Sequence, residues 1–218
     1  MNFTIKELKG VINKTIGADL TSIGFSVDST MTWYTRKNNT KDKIKIFVDT
    51  YKFLPERLEF TFIFEFILSA VEEEKKKFAV FSGDSKNLGI TYLLSEGLFY
   101  PELRHQEIKF RNSFTHKIFD DNLVDQVVHN ARLKFNKYIF PRLELFSNLQ
   151  GFQSYVQSNM NKIGDSRFTL PSLVAMRLLG LENLKDVVQQ LEKDLKELPQ
   201  NHLTIQMIKK YLEFAKSN

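Results

Sequence analysis

An α+β fold, with an N-terminal amphipathic helix packed on an antiparallel sheet and a helical C-terminal part, is predicted by three features of the 218-residue sequence. Apolar residues recur every three or four positions from Thr4 to Ile23, apolar and polar residues alternate from Leu58 to Leu68, and helical spacing returns after Asp120. The predicted division is a sheet domain over residues 1–119 and a helical part over residues 120–218 that packs on the first.

In the first segment Ile5, Leu8, Val11, Ile12, Ile16, Leu20 and Ile23 form one stripe of a helix. Thr4 is placed to cap it, with Glu7 three residues on as the reciprocal partner of a capping box. Gly24 stops it, because a left-handed residue after a helix costs glycine little. Met31 to Arg36 and Lys43 to Tyr51 then read as two strands of a hairpin, joined by the polar run from Lys37 to Asp42. From Leu58 to Leu68, the residues Leu58, Phe60, Phe62, Phe64, Phe66 and Leu68 share one face and Glu59, Thr61, Ile63, Glu65 and Ile67 the other. The first face must be covered, and the amphipathic helix is the nearest candidate.

Three acids followed by three lysines, Glu72 to Lys77, read as a solvated turn or short helix. Beyond it, short strands are expected at residues 78–81, 90–94 and 107–111, among Gly83, Gly89, Gly97 and Pro101. Asp120 or Asp121 opens a helix carrying Leu123, Val124, Val127, Val128, Ala131, Phe135 and Ile139, which Pro141 should kink or end. Further helices are expected over residues 149–161, 171–179, 182–198 and 204–216, punctuated by Pro171, Gly180 and Pro199. Residues 173–195 have the spacing of one helix–turn–helix unit, fewer than a repeat array needs.

A chain of this length, 42% hydrophobic, buries roughly 70% of its unfolded surface, and its 20 phenylalanines supply the core. It has no cysteine, which excludes disulfides, thiolate zinc sites, iron–sulfur clusters and a cysteine nucleophile, and fits a reducing compartment. Lys6, Glu7 and Lys9 interrupt the first ten residues, so no secretory signal is expected there. The stretch from Phe60 to Val71 is broken by Glu65 and too short to span a bilayer, and no membrane association is expected.

The net charge of +5 and a pI of about 9.2 bring acidic partners and nucleic acid into consideration. Positive charge concentrates in Arg36, Lys37, Lys41, Lys43 and Lys45, a candidate nucleic-acid contact. Trp33, Tyr34 and Tyr51 lie beside them as candidates for stacking or partner binding, though aromatic residues are also favoured in strands for packing alone. Asp121, Asp125 and His129, at i, i+4 and i+8, put two carboxylates and an imidazole on one helix face and form a candidate divalent-metal set. The competing explanation is that acids in a first helical turn stabilise the helix dipole. Asp84, Glu107 and Lys109 have the acid and Glu-x-Lys layout of metal-dependent nucleases, a pattern that Glu73-x-Lys75 and Glu74-x-Lys76 also match. The glycine-rich, P-loop, zincin and nucleophile-elbow motifs are missing, and no cofactor is expected.

The segment Ser22-Ile23-Gly24-Phe25, followed by Trp33-Tyr34-Thr35-Arg36 and the strand from Lys43 to Tyr51, resembles a family of uncharacterised bacterial domains of unknown function. These begin with a helix, a Gly-Phe step, an aromatic-x-Arg strand and then a sheet, and the resemblance covers residues 4–68. It implies a bacterial, cytoplasmic protein and carries over no catalytic residue. The leading expectation is a non-catalytic protein-interaction module, in the manner of a toxin-immunity protein. Nucleic-acid binding through the basic hairpin ranks second, and a metal-dependent hydrolase third.

Overall fold

The computed structural model describes residues 2–38, 41–53, 57–82, 92–103, 113–152, 154, 174, 177, 178, 189, 193 and 203–217. The chain forms two compact units, and the division is not the one predicted. Residues 1–66 and 93–144 make the first unit, and residues 67–92 and 145–218 the second. The segment after Asp120 belongs with the sheet because its helix packs on the N-terminal one.

In the first unit, helix α1 (Ile5–Ile12) starts with the expected capping box: Thr4 Oγ1 accepts from the Glu7 amide, and the Glu7 carboxylate accepts from the Thr4 amide at 2.8 Å. The helix does not run unbroken to Ile23. Asn13–Gly17 forms a π-helical turn before α2 (Ala18–Ser22). Gly24, at φ +90°, ends it, with the Phe25 amide donating to the Leu20 carbonyl and the Gly24 amide to that of Thr21, a Schellman closure. Leu8, Ile12, Ile16 and Leu20 are all buried.

Strands β1 (Ser26–Val27), β2 (Trp33–Lys37), β3 (Lys43–Phe53), β4 (Arg57–Ile67) and β5 (Tyr92–Ser95) lie in that order in one sheet. Strand β6 (His116–Ile118) pairs antiparallel with the start of β4, Leu58 opposite Ile118 and Phe60 opposite His116. β2 and β3 form the antiparallel hairpin, with Trp33 opposite Phe47 and Lys37 opposite Lys43. The face of β4 predicted to be apolar is buried throughout, from Leu58 to Phe66. Its cover differs from expectation: Phe62 and Phe64 meet Phe135, at ring centroid distances of 5.1 and 6.0 Å, from a second helix. That helix comprises α4 (Val124–Lys134), a π-helical turn (Phe135–Ile139) and α5 (Phe140–Leu143). Asp120 caps the 3-10 turn leading into it by accepting from the Asn122 amide, and Pro141 sits at the start of α5. The N-terminal helix packs against α4 and β3, where Arg132 clasps Asp19 with two 2.6 Å hydrogen bonds.

The second unit contains α3 (Ser69–Ser82) and α6 (Leu203–Ser217), packed on each other through Phe78, Tyr211 and Phe214. The strand expected at residues 78–81 is therefore the last turn of a helix. Of the two alternatives for the acid–lysine run, the helix holds and the turn does not, and the run is not wholly solvated: Glu72, Glu74 and Lys75 are buried, and the pairs Glu72–Lys75 and Glu74–Lys77 at i, i+3 carry the helix through it. Glu74 also faces Arg177 at 3.2 Å. The strand expected at 90–94 is realised as β5, and that at 107–111 lies outside the described residues, as do most residues of the helices expected between 149 and 198. Among the described residues no helix is long and apolar enough to cross a membrane.

Candidate functional site

Because side chains alternate across a strand, the β2–β3 register divides the predicted hairpin residues between two faces. Trp33, Thr35 and Lys37 on β2 share the outer face with Lys43, Lys45, Phe47, Asp49, Tyr51 and Phe53 on β3, while Ile44, Ile46 and Val48 point into the core. Tyr34 and Arg36 take the inner face and leave the predicted groups. The Tyr34 ring is fully buried and its hydroxyl donates to Asn13 Oδ1 at 2.9 Å. Burial, with Asp28 nearby, pushes that hydroxyl up to about 12. Arg36 lies over Phe25 and pairs with Glu144 at 2.6 Å.

On the outer face, Trp33 and Phe47 are half-buried and pack against each other with centroids 4.7 Å apart and planes tilted by 43°. Asp28 fixes the entry to β2 by accepting from the amides of Thr32 and Trp33 at 2.8 and 3.0 Å. Lys45 reaches over the Trp33 ring, 5.6 Å from its centroid, and lies 3.7 Å from Glu65. Lys37 and Lys43 stand directly opposite each other, and neither ammonium has an ion-pair partner among the described residues. Like charges in that position repel and weaken a hairpin. Farther along β3, Tyr51 and Phe53 are 44% and 45% exposed, with Arg57 stacked 4.5 Å over Phe53. Lys41, between the two strands, is exposed.

The metal set is not assembled as predicted. Asp121 turns its carboxylate to the chain terminus, accepting from the Asn2 amide at 2.6 Å and the Phe3 amide at 3.2 Å, which holds its carboxyl below the usual range. Among the described residues, no three His, Asp or Glu side chains are grouped to hold a metal ion, so Asp121, Asp125 and His129 do not form such a site. Asp84, Glu107 and Lys109 lie outside the described residues.

A polar cluster absent from the sequence reading sits at the far edge of β4. Strands β5 and β6 both pair with β4, and the Phe62 amide lies two residues past the last β4–β6 pair. Glu96, fully buried just after β5, accepts from that amide at 3.1 Å through Oε2. Its Oε1 accepts from the Tyr100 hydroxyl and from His116 Nε2, the latter at 2.7 Å. Phe60 stacks on the imidazole at 4.7 Å and Phe114 meets it edge-on at 5.0 Å, enclosing the group. Burial and the Glu96 charge both push the Tyr100 hydroxyl up, so it stays a proton donor. The carboxylate thus does the work of a missing strand pair, which makes the cluster a brace across the seam between β5 and β6.

No protein-family model, curated protein or solved structure matches the chain. A functional reading therefore rests on the surfaces and side chains themselves.

Proposed function

We propose that the chain is a non-catalytic binding module and that its contact surface is the outer face of β2 and β3. The observation that carries this reading is the opposed Lys37–Lys43 pair. The register sets the two lysines roughly 5 Å apart at Cβ, which brings like charges together, and a partner carrying negative charge would relieve their repulsion. Beside them, Trp33 and Phe47 offer apolar area with little side-chain entropy to lose on contact. The Glu96 cluster supports the same reading from the other side. Its carboxylate is occupied by internal donors and enclosed by Phe60 and Phe114, so it serves the fold rather than a reaction.

The partner's defining property is then an anionic surface. An acidic protein, of the kind a toxin-immunity-like module would neutralise, has that property, and so does a nucleic-acid backbone. Retention of polyglutamate and of an oligothymidylate on immobilised wild-type chain, compared with Lys37→Glu/Lys43→Glu, tests the reading. Retention of at least one polyanion by the wild type and its loss in the variant is expected. Equal behaviour of the two chains, or no retention by either, overturns it.

A further inference from the structure

Resting on that reading of the β2–β3 face, we infer that the anionic partner is a single-stranded nucleic acid, with bases stacking on the aromatic side chains and the backbone running along the lysines. Three features favour it over an acidic protein. First, charge and aromatic surface lie in one row. Lys43, Lys45, Phe47, Asp49, Tyr51 and Phe53 share one face of a single strand, and same-face neighbours two residues apart are spaced by about 6.7 Å. A single-stranded nucleic acid offers both phosphates for the lysines at one end of the row and flat bases for the aromatic rings that follow, whereas a cluster of carboxylates calls for cations alone. Second, the aromatic groups extend beyond the basic end. Tyr51 and Phe53, with ring centroids 6.4 Å apart, remain exposed where the lysines have given out, and Arg57, paired with Glu59, lies flat over Phe53. Third, the acids on this face are engaged. Glu65 lies beside Lys45 and Glu59 pairs with Arg57 at 2.6 Å, while Asp49 keeps its charge and accepts from the Tyr51 hydroxyl, so the unpaired cations of Lys37 and Lys43 lie at the end of the face away from Asp49. A paired duplex would hide its base faces from this platform, so the single-stranded form is the one it fits.

Trp33 is the only tryptophan, so intrinsic fluorescence reports directly on the proposed platform. An oligothymidylate of about 15 nucleotides, within the range that one small binding surface covers, is titrated into the full chain, with a duplex of equal length and polyglutamate in parallel. Saturable quenching by the single strand is expected. Two to three phosphate contacts predict about a 7- to 20-fold weakening over a fourfold rise in salt. Lys37→Glu/Lys43→Glu should abolish the effect and, because it exchanges one like-charge pair for another, should itself melt close to wild type; Lys37→Glu alone, which can pair with Lys43, should melt no lower than wild type and bind more weakly. Quenching by polyglutamate alone, lost in the double variant, would sink the nucleic-acid inference and leave the binding face standing. Duplex binding as tight as single-strand binding would also sink it. If neither the nucleic acids nor polyglutamate binds, both the inference and the underlying reading fall.

Discussion

Replacing Glu96 tests whether the seam of the sheet is held by one side chain. Glu96→Ala removes the acceptor for three donors and leaves the Phe62 amide and the Tyr100 hydroxyl buried without a partner. Each such orphan costs about 1–3 kcal/mol, and removing one member of a buried, hydrogen-bonded charged group typically costs about 3–5 kcal/mol. The expected loss is therefore about 4 kcal/mol, which for a chain of this size lowers Tm by roughly 8–16 °C. Glu96→Gln retains a carbonyl for the Phe62 amide while giving up the charge, and should lose about half as much. Urea unfolding followed by circular dichroism gives both values. A loss under about 1 kcal/mol for Glu96→Ala would refute the assignment of Glu96 as the brace.

Three further outcomes follow from the packing of the first unit. A Cβ on Gly17 would lie 2.6 Å from the Tyr34 hydroxyl and 2.7 Å from Asn13 Oδ1, so Gly17→Ala should cost about 1–3 kcal/mol by overpacking, read as a drop in the urea midpoint. Arg132 holds the Asp19 carboxyl below its usual value. That stabilisation is present above the unfolded-state value near 3.9 and is lost as pH falls through the lower folded value. Asp19→Asn should therefore cost about 1 kcal/mol at neutral pH, with the pair half in solvent, and approach wild type in strong acid. Because burial raises the Tyr34 hydroxyl to about 12, the folded state keeps a proton that the unfolded chain gives up near 10. Stability should thus fall between pH 10 and 12, and Tyr34→Phe should make that fall shallower in denaturation curves collected across the window.

Much of the architecture is legible because the two periodicities differ. The β4 alternation assigns its buried face residue by residue, and Thr4, Glu7 and Gly24 mark helix ends through local chemistry that tertiary contacts do not override. The same alternation, applied to β2, separates Trp33 from Tyr34 and Lys37 from Arg36. Grouping those residues by proximity in sequence is what mixed core residues with surface ones. The short apolar run from Phe78 to Phe81 suits a strand as well as a helix, whereas acid and lysine three positions apart upstream extend a helix over the same residues. The π turns are invisible to a spacing count, because apolar intervals of three and four suit an α-helix equally well. His116 lies 20 positions from Glu96 with no motif joining them, and only Tyr100, one helical turn after Glu96, gives a local hint of the cluster.

The first unit is assembled from stretches on both sides of residues 67–92. Arg132 meets Asp19 across 113 positions, and Asp121 meets the second and third residues of the chain. During synthesis from the N-terminus, then, α1, α2 and the hairpin leave the ribosome with the Phe face of β4 uncovered, and they stay so until Phe135 follows. For that interval the nascent chain carries a long strand with an unpaired edge and a row of exposed aromatic side chains, the kind of surface on which chaperones act and aggregation begins.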